Sequence, residues 1–132
     1  MTRHMLDTNT VSHLLKGHPA VCRRAVDLPM ASLCISAITE GELLFGLARR
    51  PEARRLHAVV REFLLRVDTL PWGGDVAAHY GSLRAELEGG GIGLGPLDLL
   101  IAAHARALDL TLVTNDGAFG RVGGLRVADW TA

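Results

Sequence analysis

This 132-residue chain is short of net charge, cysteine and aromatic surface. Its 14 basic and 14 acidic residues cancel, so bulk charge gives no reason to expect nucleic-acid binding. Two cysteines, Cys22 and Cys34, are too few for a disulfide framework or a thiolate zinc site. Both lie in apolar segments and read as buried free thiols. Aromatic residues are only 5% of the chain, which leaves little for a base-stacking surface and assigns Trp72 and Tyr80 to packing. No apolar run nears the roughly 18 residues of a membrane-spanning helix. The six histidines form no His-Glu-x-x-His pair. His104 shares a helical stripe with Leu97, Ile101 and Leu108 and reads as a packed core residue. The glycine-rich stretch 89–95 lacks the Gly-Lys-Ser/Thr and Gly-x-Gly-x-x-Gly patterns of phosphate cradles, so it reads as a flexible loop. The run from Met1 to Asp7 reads as a strand ending in an acid, without the apolar core of a signal peptide, which sets the expectation of a cytoplasmic protein.

What the chain does have is alternation. Apolar residues make up 48%, enough for one core, and residues 1–132 read as a single domain. Short apolar strands over 3–6, 33–36, 67–70, 110–114 and 125–127 alternate with helices over 8–16, 20–28, 37–49, 52–66, 76–88 and 96–108. Gly17, Pro19 and Pro51 punctuate these helices, and Pro96 opens the last at a position that tolerates proline. The pattern predicts an α/β fold with a short, mainly parallel central sheet flanked by helices. Ligands of such sheets sit beyond the carboxyl ends of the strands, near a topological switch point. Thirteen of the 14 basic residues are arginine, with pairs at Arg23 and Arg24, Arg49 and Arg50, and Arg54 and Arg55. Guanidinium suits bidentate phosphate contacts, but clustering alone reads first as a solvated helix face.

Four acids fall where a ligand site is expected. Asp7 follows the first strand, where aspartate also makes a good helix cap. Asp98 lies in the first turn of a helix, which the helix dipole favours. It shares a small apolar stripe with Ala102 and Ala105, so its charge needs a metal, a cation or hydrogen bonds. Asp116 follows the strongest strand within Asn-Asp-Gly, itself good turn sequence. Glu42 sits early in the helix after the second strand. Glu40 points about 200° away around that helix, and periodicity does not choose between the two. Convergent carboxylates repel and raise one another's pKa unless a cation neutralises them. An all-oxygen donor set favours Mg2+, with Mn2+ as a substitute, over zinc. Such an ion suits phosphate-ester hydrolysis, because it generates a hydroxide nucleophile and neutralises transition-state charge. Thr8, Asn9, Ser36 and Thr114 lie beside the acids, placed to hydrogen-bond them or a metal-bound water. Ordinary capping and turn roles are the alternative.

These segments resemble the PIN-domain family, and within it the VapC-type toxins of bacterial toxin–antitoxin pairs. Met5-Leu6-Asp7-Thr8-Asn9 is similar to the family's opening strand and first acid. Ile35 through Gly46, containing Glu40-Gly41-Glu42-Leu43, resembles the second motif, in which the acid before leucine is catalytic. The resemblance therefore selects Glu42. Gly95-Pro96-Leu97-Asp98 and Leu112-Val113-Thr114-Asn115-Asp116 resemble the third and fourth motifs, and Asp129-Trp130 resembles the tail. The likeness implies a single PIN domain and a magnesium-dependent endoribonuclease with Asp7, Glu42, Asp98 and Asp116 as catalytic acids. It makes Asp7, Asp98 and Asp116 the metal ligands. It further implies inhibition by a VapB-type antitoxin, a homodimer and no membrane partner. The segment from Tyr80 to Leu87, the glycine loop and Gly95-Pro96 look most like the enteric-type branch, associated with cutting initiator tRNA in its anticodon loop. There are departures. Relatives often carry another acid two residues beyond Asp116, where this chain has Ala118, and many have asparagine in place of Asp116 itself. Asp116 therefore ranks last of the four. Two other readings compete: a PIN fold that binds without catalysis, which the retained acids oppose, and another magnesium phosphohydrolase. Against the latter, the Asp-x-Asp nucleophile pair common in phosphatases is missing.

Overall fold

The computed structural model describes residues 3–132; Met1 and Thr2, read above as leading into the first strand, lie outside them. The strands are β1 (His4–Leu6), β2 (Leu33–Ser36), β3 (Asp68–Leu70), β4 (Thr111–Val113) and β5 (Arg126–Ala128). The helices are α1 (Thr8–Leu15), α2 (Pro19–Val26), α3 (Ala37–Ala48), α4 (Arg54–Arg66), α5 (Gly74–Gly89) and α6 (Pro96–Ala107). The five strands form one sheet in the order β3-β2-β1-β4-β5. Every pairing is parallel, so the mainly parallel expectation is met in full. Turns of 3-10 helix precede β2 and follow β4, at Met30–Ser32 and Gly117–Arg121.

The central strands β1, β2 and β4 are mostly buried because both faces are covered, as parallel sheets require, while the edge strands β3 and β5 are more exposed. Consecutive residues take opposite faces of a strand. Met5, Cys34 and Leu112 pack with α5, α6 and the second 3-10 turn through Val76, Leu83, Ile101 and Phe119. Their neighbours Leu6, Ile35 and Val113 pack with α1, α2 and α4 through Val11, Val21 and Phe63. The helices therefore form a layer on each side. Ile38 of α3 meets the first core and Leu43 the second, so α3 spans the end of the sheet where the strands finish. Gly17, at φ +82°, ends α1 in the left-handed conformation that only glycine adopts without strain.

Trp72 and Tyr80 pack edge to face at 5.9 Å, and the Trp72 indole donates to the Leu100 carbonyl, as packing residues would. Both cysteines are free, but only Cys34 is buried. Cys22 is half-covered because α2 turns it toward the Leu14 carbonyl at the rim rather than into the sheet.

His104 is fully buried, and its Nδ1 lies 2.7 Å from Ser36 Oγ. Burial holds both His104 and His4 below the ordinary histidine range. The unfolded chain takes up these protons near pH 6.5, while the folded chain resists them. Their contribution to stability is complete above that pH and is lost as pH falls through the lower folded values. Urea melts between pH 7.5 and 5 should show stability dropping on the acid side, with a smaller drop in His104→Gln; equal slopes would exclude His104 as a source.

Candidate active site

The chain order makes a switch point at the centre of the sheet. After β1 the chain builds outward through β2 and β3, then returns to place β4 on the other side of β1. Asp7 and Asp116 follow these two neighbouring strands and so flank the crevice beyond them.

Asp7 performs both duties that the sequence left open. Its backbone N–H donates to the Val113 carbonyl, which extends the β1–β4 ladder by one bond. Its Oδ1 accepts from Thr10 N at 2.8 Å and caps α1. The carboxylate is only 4% exposed. Thr10 Oγ1 donates to the same Val113 carbonyl, so the first turn of α1 is bolted to β4.

Glu42 comes from the second turn of α3 and is held from across the crevice. Thr8 Oγ1 donates to Glu42 Oε1 at 2.6 Å and also lies 3.3 Å from the buried Thr39 hydroxyl. Asp98 enters from the first turn of α6, behind Pro96. Burial pushes its carboxyl above the ordinary aspartate range, and the charges of Asp116, Asp7 and Glu42 push it further, in that order. The four acids thus share one electrostatic neighbourhood. Glu40 is not among the charges acting on Asp98. Asp116 is exposed; it caps the 3-10 turn by accepting from Ala118 N, and its own N–H donates to Thr114 Oγ1.

All donors at the site are oxygens, and the charges raising Asp98 are all negative. That is the chemistry of a site for a hard divalent cation. Among the described residues, no three acid, imidazole or thiol groups are close enough to enclose one ion. A hard cation here would take at most one or two carboxylates directly and keep several waters.

A pattern for the PIN domain matches residues 4–125. Over its whole length the tRNA(fMet)-specific endonuclease VapC of Shigella flexneri is 41% identical to 99% of this chain. The protein of the same name from Salmonella typhimurium is 39% identical over 98% of the chain and 99% of its own length. The chain belongs to the VapC family of PIN-domain proteins. A solved structure of DNA-bound VapBC from Salmonella typhimurium superposes with a TM-score of 0.90 at 39% identity, over 98% of this chain and 99% of that one. VapBC2 from Rickettsia felis, bound to a promoter DNA fragment, superposes with a TM-score of 0.88 at 32% identity, over 98% and 99%.

Within this VapC-family chain, the residues expected beside the acids divide. Thr8 bonds Glu42 directly. Thr114 acts on Asp116 through the backbone N–H rather than the carboxylate. Asn9 is exposed, with no hydrogen bond to an acid among the described residues. Ser36 does not face the acids: its hydroxyl is engaged by Ile38 N, which caps α3, and by His104. The reason is local. Ser36 is the last residue of β2, and a helix starting at once afterwards turns its hydroxyl onto the helix's own free N–H groups. Thr39 was not anticipated; its signal is a position three residues before Glu42, on the same helical face.

Proposed function

We propose that this chain is a magnesium-dependent endoribonuclease toxin that hydrolyses RNA phosphodiester bonds. One observation carries the reading: Asp7 and Asp116 follow the neighbouring strands β1 and β4 at the switch point, and their charges, with that of Glu42, act on half-buried Asp98. The named activity of the Shigella and Salmonella relatives supports it. Asp7, Asp98 and Asp116 would hold the ion, one or two of them directly and the rest through its waters; when bound it would supply positive charge for the phosphoryl oxygens and lower the pKa of a coordinated water. The chain's own residues fix the geometry. Asp7 is immobilised by its cap, leaving its second oxygen for the ion. Glu42 is oriented by Thr8 to accept a proton at the Oε2 that Thr8 leaves free. Half-buried Asp98 gains from a nearby cation, because burial and the neighbouring acids oppose its charge.

The substrate follows from the relatives' names: a tRNA, with tRNA(fMet) the first to assay; the family resemblance makes its anticodon loop the expected place of cleavage. The VapBC neighbours make a VapB-type antitoxin the expected inhibitor. Among the described residues no helix is long and apolar enough to cross a membrane. The test uses chain freed of any co-purifying partner, stripped with a chelator and incubated with total tRNA. Discrete fragments should appear on adding Mg2+ or Mn2+, with 5′ ends in one loop. Identical patterns with chelator and with magnesium, across several RNA sources, would overturn the reading.

Thr8→Val is nearly isosteric and leaves Glu42 without its donor. Loss of such an outer hydrogen bond costs about 10–100-fold in activity. Thr8→Ser should recover most of it at unchanged stability. Full activity in Thr8→Val would remove Thr8 from the mechanism.

A further inference from the structure

The sequence offers three arginine pairs without distinguishing them; the fold does. A cleft of about 490 Å3 opens between α1, α3 and α4, with Thr8 and Glu42 at one end. Its rim carries Lys16, Arg49, Arg50 and Arg55 over a leucine and valine floor, and Glu42 is the only carboxylate that lines it. Lys16 ends α1 and Arg49 ends α3, about 12 Å and 10 Å along those helices from Thr8 and Glu42, at about 1.5 Å per residue. All four cations are exposed, and none forms an ion pair among the described residues. Away from the cleft, Arg3, Arg66, Arg84, Arg106 and Arg126 are paired, while Arg23, Arg24, Arg54, Arg61 and Arg121 form no ion pair among the described residues, so it is the gathering of four free cations on one cleft that sets this face apart. Arg49 is also steadied, its guanidinium 4.9 Å from the Phe45 ring centroid. Arg23 and Arg24 lie on α2 and do not line the cleft.

We propose that this cleft is the phosphate track for the RNA strand leaving the acids, with Lys16, Arg49, Arg50 and Arg55 holding its backbone. The inference rests on the nuclease reading and adds where the substrate lies. Four unpaired cations against a single carboxylate favour a polyanion, and guanidinium forks match phosphate oxygens bidentately. The cations lie about two helical turns or more from Glu42, so they hold flanking phosphates, not the one being cut. Because these contacts read the backbone, they set affinity and register and not sequence.

The experiment measures binding of a fluorescent single-stranded oligoribonucleotide as a function of salt, in an Asp98→Asn background that leaves the RNA intact. Each lost phosphate contact should make the plot of log affinity against log salt shallower by about 0.7. Arg49→Gln with Arg50→Gln, and separately Lys16→Gln with Arg55→Gln, should each weaken binding about tenfold and flatten the slope. Arg23→Gln with Arg24→Gln removes the same charge elsewhere and should leave both unchanged. Arg49→Lys with Arg50→Lys should restore the slope, which separates charge from any loss of folding. Equal weakening by all three glutamine pairs would reduce the effect to bulk charge and overturn the proposal. Unchanged slopes would overturn it too and leave the apolar floor to a peptide partner. Cleavage by the parent chain is assayed in parallel: a parent that cuts RNA while the cleft pairs bind normally sinks only the track. A parent that never cuts, with slopes that fall as expected, sinks only the nuclease.

Discussion

Asp98→Asn should lose RNA cleavage by more than about a hundredfold and yet melt at a higher temperature than the parent. The activity loss follows from the position of the side chain. Outer-shell partners of a metal site are worth about 10–100-fold, and a residue holding the ion directly is worth more. The stability gain follows from its charge. Burial and three neighbouring carboxylates raise the Asp98 carboxyl, so its ionised form works against the fold. The group supports folding below its ordinary range, and that support disappears as pH rises through the folded value. At neutral pH the amide removes the opposition, so the gain in Tm should be largest there and vanish in acid. Magnesium should then reverse the ranking. It binds the folded parent and raises its Tm by mass action, while the variant, lacking the ligand, responds weakly. Thermal melts of both proteins with and without magnesium, beside an RNA digest, check all three results. A variant that still cuts RNA, or melts below the parent, would show that Asp98 is structural.

The second large effect lies in the short turn behind Asp116. Phe119 is 1% exposed and joins the core formed with α5 and α6. It is the one buried side chain of the turn Gly117–Arg121. Phe119→Ala should cost about 3–5 kcal/mol through lost burial and the cavity left behind, which lowers Tm by about 10–20 °C in a domain of this size. Because Asp116 caps this same turn, cleavage should weaken even at temperatures where the variant is folded. Phe119→Leu, which refills most of the space, should recover most of both. A melt within a few degrees of the parent would mean that the turn does not depend on its anchor.

Most of the architecture was legible because periodicity and punctuation agree in this sequence. Both-face burial makes the central strands β2 and β4 apolar runs, and Gly17 and Pro96 bound helices where expected. The differences fall at ends. The fifth helix starts at Gly74, two residues early, because the paired glycines read as a stop although Gly74 is helical. The last strand slides by one residue to 126–128, since its register is set by pairing Val113 with Ala128, a contact invisible in local pattern. The acids were legible singly as cap, dipole and turn residues, and Asp7 and Asp116 do cap. Their common location was legible only in outline, from their places after strands or at helix starts, because positions 7, 42, 98 and 116 are brought near one another by topology. Glu42 and Glu40 both have apolar flanks, and the tertiary contact from Thr8 to Glu42, with the charge of Glu42 on Asp98, separates them on physical grounds. Ser36 was misread because a strand-to-helix junction gives its hydroxyl local work.

The strand pairing also sets a timetable. β1 is the first strand of the chain, but its second neighbour is β4, and the site is framed only when Leu6 meets Val113. Closing so long a loop is slow compared with forming local structure. Two of the four acids, Asp98 and Asp116, also belong to the late-made part of the chain. A ribosome-bound chain that stops short of β4 therefore has helices and an edge of sheet, but it lacks Asp116 and the Val113 carbonyl that holds Asp7 and Thr10 in place. The crevice is among the last features of the molecule to exist, and it exists only once β4 has docked.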